Sequence, residues 1–377
     1  MLHEYFTKEL GASGFIIRVY GSSTLPGDSS GGDKKSGDVD VALIISSEKK
    51  EKFEALDFKS LEFDSYKVGN VFRMKHASQC EVDLNCCFVP QEYLQRILNF
   101  FRDKEKRYPF MDALVRHKVT DLSRNTTFSR LFRALLFWYQ LSEIFHRCKD
   151  LKLGALLEQV KFFAKQNYIY KTYEGFFGGI GYTILLLYFL KHLRRGREEE
   201  DILTLQAGEI EARYLSLESF IDFYNQELQK EKFAIRVSET GSIIEKSFMV
   251  AFEDVDLAFN VNEVLKKRFA DAFKCRTPDP PRVDCFKVVM VLDWAPNNKF
   301  EEENRVLYYL TRHLLKYSID FYVLSSTLPV VVGISEATIT TRLLDFLLLL
   351  NGLVTKVSVL TELELRYTWL RREDVGV

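Results

Sequence analysis

The chain has 377 residues and a formal net charge of −1, with 52 Lys and Arg against 53 Asp and Glu. Apolar residues make up 47% and charged residues 28%, which excludes wholesale disorder and is typical of a globular protein of two or three domains. The near-zero charge excludes a uniformly basic nucleic-acid binder, so any contact with nucleic acid requires a local patch of positive charge.

The cysteines and the apolar runs indicate the compartment. The six cysteines contain no CxxC pair, which favours free thiols in a reducing compartment over disulfides or a zinc site. The first ten residues carry charges where a signal peptide needs an apolar stretch. The longest uncharged apolar run, 175–190, falls short of the roughly 20 residues of a membrane span and predicts a buried helix. We therefore expect a soluble protein of the cytosol or nucleus, with no membrane partner.

The first 105 residues alternate short strands with turns, and helical patterns flank the strands. The predicted strands are 15–20, 38–46, 67–75 and 81–89, and the predicted helices are 49–56 and 91–102. This order predicts a sheet with helices packed on it.

The apolar period then becomes helical, and a linker rich in proline separates a third region. The predicted helices are 128–145, 153–166, 182–193, 216–229 and 261–273, and one strand covers 247–252. After the linker at 276–281, we predict strands at 285–292, 320–324 and 330–334 and helices at 302–316 and 336–350. The fold class is thus α+β, with a sheet domain at 1–105, a helical domain at 106–275 and a smaller α/β domain at 282–377.

Two aspartates begin the second predicted strand. Residues i and i+2 of a strand share a face, so Asp38 and Asp40 lie side by side. Facing carboxylates repel each other unless a cation lies between them, and Mg²⁺ prefers oxygen ligands. Asp83, on the fourth strand, would complete a site for two metal ions, although Glu81 on the same face is an alternative third ligand. The alternative interpretation is a solvated face without a ligand.

A Gly-Ser pair, Gly21 and Ser22, precedes this strand and lets backbone N–H groups approach a triphosphate. Together with the three aspartates, this pattern resembles the nucleotidyltransferase superfamily of the polymerase-β type. The loop from Gly21 to Asp38 is longer than that superfamily's usual spacing. The resemblance implies that residues 1–105 form a nucleotidyltransferase-like domain with a mixed sheet. It also implies nucleotide binding by Gly21 and Ser22 and metal binding and catalysis by Asp38, Asp40 and Asp83.

The helical region resembles the central domain of eukaryotic poly(A) polymerases and, equally, the first helical domain of the Nrap family. Both resemblances depend on the segments 160–167 and 169–170 and on the glycine turn within 175–182. They imply that Gly178 and Gly179 contribute to nucleotide binding.

The last third of the chain favours Nrap over a poly(A) polymerase, because segments 248–254, 283–288 and 331–337 are similar to that family's pattern. Nrap proteins are nucleolar scaffolds of the small-subunit processome, built from degenerate polymerase-like modules. The resemblance therefore implies a nuclear and nucleolar protein that binds pre-rRNA or small nucleolar RNA and other ribosome assembly factors. Two features depart from the family: the carboxylates are present, and the family is much longer than this chain.

The stretch 96–165 carries 15 Lys and Arg against seven Asp and Glu, a net charge of +8. Such a concentration, expected to face the carboxylate strands, can attract a phosphate backbone. The alternative is an ordinary solvated helix surface. The candidate RNA-binding residues are Arg124, Arg130, Arg133, Lys161 and Lys165.

Three functions follow from these patterns. The first is a non-catalytic RNA and protein scaffold of the Nrap type in pre-rRNA processing, which needs no cofactor. The alternative is an active, template-independent RNA nucleotidyltransferase that uses two Mg²⁺ ions. A nucleotide-signal synthase on the same fold is a more distant third.

Overall fold

The protein is described from a computed structural model. The described residues are 1–21, 25, 39–68, 71–78, 80–102, 126–170, 176–194, 205–236, 248–252, 255–258, 261, 263–275, 288–293, 310–311, 314, 321–325, 330–334 and 356–361. They divide into two compact units, Met1–Gly154 and Ala155–Val377, and each unit is described by itself. The division into three domains stays a prediction.

Among its described residues, the first unit has four α-helices and five strands. The helices are α1 (Leu2–Leu10), α2 (Lys50–Glu54), α3 (Gln91–Arg102) and α4 (Thr126–Arg147). The strands are β1 (Phe15–Tyr20), β2 (Val39–Ser46), β3 (Phe63–Val68), β4 (Val71–His76) and β5 (Glu81–Val89).

The five strands form one mixed sheet in the order β1-β2-β5-β4-β3. Strands β2 and β5 pair in parallel, and the remaining neighbours pair antiparallel. The chain returns to the centre of the sheet with β5 only after it has formed the β3–β4 hairpin. The mixed sheet predicted from the sequence is confirmed.

The third predicted strand, 67–75, is wrong, because the structure has two strands there. Strands β3 and β4 pair from Phe63 with His76 to Val68 with Val71. The sequence between them is Gly69-Asn70, a dipeptide typical of two-residue hairpin turns. The helix α1, which was not predicted, precedes β1 and buries Phe6 and Leu10.

Each face of this sheet packs on helices because the strand residues alternate in direction. On one face, Ala42 and Ile44 of β2 and Cys87 of β5 join a core with residues of α3 and α4. On the other face, Val41 and Leu43 join a core with residues of α1 and α2. Both central strands are therefore buried on two sides over most of their length.

The second unit begins with helices and ends with strands. The helices are α5 (Leu153–Gln166, which begins two residues before the unit), α6 (Gly179–Leu193), α7 (Leu217–Glu227) and α8 (Glu263–Cys275). The strands are β6 (Phe233–Arg236), β7 (Phe248–Phe252), β8 (Val255–Asp256), β9 (Val288–Asp293), β10 (Phe321–Ser325), β11 (Val330–Ile334) and β12 (Lys356–Thr361).

Two sheets belong to this unit. One has three strands in the order β6-β7-β8, and the other has four in the order β10-β11-β9-β12. Arg268 of α8 is buried and donates from Nη2 to the Phe321 carbonyl of β10 at 2.6 Å. A buried guanidinium needs hydrogen-bond acceptors around it, and the Phe321 carbonyl supplies one. The hydrogen bond also connects α8 with the four-stranded sheet.

Helix α6 is almost wholly apolar and lies in the core of the second unit, as the sequence predicted. Tyr182 donates to the Ile169 carbonyl, and Tyr224 of α7 donates to the Leu185 carbonyl at 2.6 Å. In the part of the chain that the structure describes, no helix is both long enough and apolar enough to cross a bilayer.

The fold class predicted from the sequence, α+β with a mixed sheet followed by helices and a smaller α/β region, is confirmed. The predicted helix at 302–316 has only residues 310, 311 and 314 among the described ones, and the helix at 336–350 lies outside them.

Candidate active site

Four polar side chains form one row across the sheet of the first unit. Tyr20 of β1 pairs with Asp40 of β2, Asp40 pairs with Asp83 of β5, and Asp83 pairs with Arg73 of β4. Residues at matched positions of paired strands point to the same face. The structure therefore brings Asp40 and Asp83 together on neighbouring parallel strands.

This row lies on the face that carries α3 and α4. Two residues further along the strands, Ala42 lies on the same face as Asp40 and is buried under these helices. Asp40 and Asp83 themselves are half-buried. The two carboxylates thus lie beside an apolar core and still reach solvent, which is the environment of a metal or substrate site.

The chain turns at Gly21, directly after Tyr20. Gly21 has a φ of 82°, a conformation that glycine adopts more easily than other residues. A Cβ at this position would lie less than 3.0 Å from Oδ2 of Asp40, which is closer than real Cβ contacts. Gly21 is therefore required both for the turn and for the place of the Asp40 carboxylate. Its partner in the predicted motif, Ser22, lies outside the described residues.

Tyr20 closes the row on the β1 side. Burial raises the pKa of its phenol well above the usual value, and the negative charges of Asp40 and Asp83 raise it further. A hydrogen bond with the Asn85 side chain acts in the opposite direction, and Asn85 Nδ2 also donates to the Asp83 carbonyl at 3.3 Å. The phenol stays protonated at any physiological pH and can donate a hydrogen bond.

Arg73 continues the row on the β4 side. Its Nε lies 3.7 Å from Oδ1 of Asp83, and both side chains are partly exposed. In the neighbouring row, Lys75 Nζ lies 3.9 Å from Oε1 of Glu81. Glu81, the alternative third ligand, shares the face of Asp83 but lies two residues before it on β5. Asp83, and not Glu81, is therefore matched to Asp40. The register thus favours Asp83 over Glu81 as the partner of Asp40.

Asp40 and Asp83 supply oxygen ligands of the kind that Mg²⁺ prefers. Within the described ranges, no group of three His, Cys, Asp or Glu side chains is placed to hold a metal ion. Asp38, the third predicted ligand, lies outside those ranges, and β2 begins at Val39. The described carboxylates therefore fit two of the ligands of such a site.

The second unit contains a separate cluster of cationic and hydroxyl groups at the start of α6. Gly178 is the N-cap of this 15-residue helix and has no side chain to accept from its first N–H groups. A Cβ on Gly179 would lie 3.3 Å from the Tyr170 hydroxyl oxygen and 3.6 Å from Nζ of Lys161. The helix N-terminus, an ammonium and a hydroxyl thus meet around Gly179, which is a favourable place for an anion.

Lys165 belongs to the same cluster, since its Nζ lies 5.2 Å from the centre of the Tyr170 ring. Tyr170 in turn stacks on Tyr182, with ring centroids 5.6 Å apart. We call Lys161, Lys165, Tyr170, Gly178 and Gly179 the phosphate-binding cluster, after the ligand that we propose for it. The absence of a side chain at Gly179 keeps its centre accessible.

The other predicted RNA-binding residues lie in or before α4. Arg130 and Arg133 are part of that helix, but their side chains are outside the described part of the structure, as is Arg124 altogether. Three residues of these two sites were not singled out from the sequence: Tyr20, Arg73 and Tyr170. Only Tyr170 carries a sequence signal, which is its place between the lysines of α5 and the glycine turn.

No protein-family model matches the chain, and no curated protein matches it. Solved structures with a similar arrangement include terminal uridylyl transferases and Cid1. Terminal uridylyl transferase 4 from Trypanosoma brucei with bound GTP has a TM-score of 0.44 at 12% identity, covering 72% of this chain and 87% of that one. Cid1 in complex with its short product ApU has a TM-score of 0.48 at 12% identity, covering 73% and 84%.

A third similar structure is that of a cytoplasmic RNA terminal U-transferase, with a TM-score of 0.46 at 12% identity, covering 74% of this chain and 87% of that one. At these values the similarity carries no argument about activity. The proposals for this protein therefore depend on its own residues.

Proposed function

We propose that the protein is a template-independent RNA nucleotidyltransferase, which transfers a nucleotide from a nucleoside triphosphate to the 3′ end of an RNA. The observation that carries this proposal is the register match of Asp40 and Asp83 on adjacent parallel strands. Two neighbouring carboxylates repel each other, so their pairing costs stability unless the site binds cations. A site for divalent metal ions explains why both are present.

In this mechanism Asp40 and Asp83, together with Asp38, would hold Mg²⁺. When bound, the metal ions would supply positive charge to the triphosphate and to the departing pyrophosphate. The oxygen of the RNA 3′-hydroxyl gives its proton to water and forms a bond to the α-phosphorus, while the bond from the α-phosphorus to the bridging oxygen breaks and pyrophosphate leaves. Gly21 keeps the Asp40 carboxylate unobstructed, and Tyr20, whose phenol stays protonated, adds no negative charge beside the two carboxylates.

We propose that the phosphate-binding cluster of the second unit, taken by itself, binds phosphate oxygens of RNA or of a nucleoside triphosphate. Its two ammonium groups and the start of α6 attract negative charge, and the Tyr170 hydroxyl can donate to a phosphate oxygen. This assignment covers Gly178 and Gly179, which the sequence linked to the nucleotide, and Lys161 and Lys165, which it linked to RNA.

The test is a transfer assay with the full chain, a short RNA, Mg²⁺ or Mn²⁺, and each of the four labelled ribonucleoside triphosphates in turn. We expect extension with at least one of them. Asp40→Asn and Asp83→Asn should lower the rate at least about 100-fold, as loss of one strong electrostatic contact does in other enzymes. Asp64→Asn is the matched control, because Asp64 is an exposed acid of the same sheet.

The Nrap-type scaffold is the competing function. It predicts RNA binding without nucleotide addition, a nucleolar location and binding to ribosome assembly factors. RNA binding that survives Asp40→Asn, together with no extension by any nucleotide, would favour the scaffold and contradict the enzyme.

A further inference from the structure

Arg73 lies next to the carboxylate pair, and a metal ion bound to that pair would lie close to it. It is the register partner of Asp83 on β4, and its Nε lies 3.7 Å from Oδ1 of that carboxylate. A guanidinium is a permanent positive charge and pairs well with a carboxylate. It therefore offsets part of the repulsion between Asp83 and Asp40.

The neighbouring strands place Arg73 within this row. Tyr66 of β3, which is buried, is its register partner on the other side. The adjacent cation of the same strand and face, Lys75, lies one row away and is close to Glu81 instead. Arg73 is thus the cation of β4 that is matched to the proposed site.

A positive ion at Asp83 and the Arg73 guanidinium oppose each other in two ways. Arg73 lies near Oδ1 of Asp83, which a bound metal ion would also approach, and the two positive charges repel at close range. A cation that binds to Asp83 must therefore displace Arg73 or bind more weakly because of it.

We propose that Arg73 is a positioning residue that holds Asp83 while no metal is bound and is displaced when metal binds. Arg73 thereby raises the metal concentration at which the site fills, and it keeps the metal-free carboxylate pair stable. This inference rests on the proposed function, because it requires that Asp40 and Asp83 bind divalent metal.

The experiment titrates the full chain with Mn²⁺ and follows the free ion by electron paramagnetic resonance. Arg73→Gln should lower the apparent Kd about two- to fivefold, a modest change because the ion pair is partly exposed. Arg73→Lys, which keeps the charge, should stay closer to the wild type. Lys75→Gln is the matched control and should change the apparent Kd less than about twofold.

A second measurement uses the unaltered protein and is independent of the folding of any variant. Magnetic resonance of the arginine Nε–Hε group should show the Arg73 signal, identified by its loss in Arg73→Lys, moving as Mg²⁺ is added. Mn²⁺ binding that is equal or weaker in Arg73→Gln, or a stationary Arg73 signal at saturating Mg²⁺, would overturn the inference. If the wild type binds no divalent ion, the proposed function fails first, whatever Arg73 does.

Discussion

Gly21 and Asp40 are in such close contact that the space around Gly21 cannot hold even a methyl group. A Cβ on Gly21 would lie less than 3.0 Å from the Asp40 carboxylate oxygen. Gly11 provides a matched comparison, because it has the same φ of 82° and no described atom would lie within 4 Å of a Cβ there. A comparison of alanine substitutions at the two glycines therefore separates the cost of the positive φ from the cost of the steric conflict with Asp40.

The first prediction concerns these two glycines. Gly11→Ala should cost about 1–3 kcal/mol of unfolding free energy from the positive-φ backbone alone. Gly21→Ala should cost more, because Asp40 must also move, and it should abolish nucleotide transfer. Chemical denaturation and the transfer assay measure the two effects. Equal losses in both variants would mean that the turn accommodates the methyl group.

A second prediction concerns the phosphate-binding cluster. Lys161→Gln should weaken the binding of inorganic tripolyphosphate about tenfold, because a hydrogen bond to a charged group is lost. Tyr170→Phe should have a smaller effect in the same direction. Lys230→Gln, at an exposed lysine of the same unit, should have none. Titration calorimetry checks this, and equal binding by all four proteins would remove the cluster from the proposal.

The third prediction concerns a buried ion pair in the second unit. Arg194 is almost fully buried, and its Nε lies 2.9 Å from Oε2 of Glu209. Glu209→Gln should cost about 3 kcal/mol, because it leaves a buried guanidinium without its counter-charge. Glu211→Gln is the control and should cost less than about 1 kcal/mol, because its partner Arg213 is 70% exposed. Denaturant unfolding measures both, and similar costs would contradict the explanation.

The fourth prediction concerns pH. Burial raises the pKa of the Cys87 thiol from 9.0 to about 12, and burial also raises that of Cys86. A thiol whose folded pKa is raised contributes stability below its unfolded value, and this stability is lost as the pH rises toward the folded value. From pH 8 to pH 10 the wild type should therefore lose about 1.4 kcal/mol more than Cys87→Ala. Parallel loss in both proteins, measured by denaturation at each pH, would contradict the burial of this thiol.

Cysteine reactivity checks the same burial at neutral pH. Cys80 is partly exposed, whereas Cys86, Cys87 and Cys148 are buried. Alkylation of the folded protein, mapped by mass spectrometry, should modify Cys80 well before these three.

Local patterns predicted much of the first unit. The bounds of β1, β5 and α3 match the predicted ranges, because alternating apolar residues and a preceding proline mark their ends. The prediction of a single strand at 67–75 is wrong because a Gly-Asn dipeptide, which is typical of a hairpin turn, lies between Lys67 and Lys75. A prediction that omits this dipeptide has one strand too few in this part of the sheet.

The site was predictable only in part, for a related reason. Asp40 and Asp83 could be named because each follows the strand pattern of its own segment. The position of Arg73 beside Asp83 depends on the register of β4 with β5, which no local pattern contains. Tyr20 was missed because its role comes from two carboxylates on other strands and from burial by the helices.

The parallel pairing of β2 with β5 also bears on how the protein folds. Asp40 and Asp83 are 43 residues apart in sequence, and the whole β3–β4 hairpin lies between them. Closing such a loop costs chain entropy before the contact returns any stability, so pairings of this kind form slowly. During synthesis, the two carboxylates cannot meet until Asp83 has emerged. We expect the β3–β4 hairpin, whose strands are close in sequence, to form before the carboxylate pair.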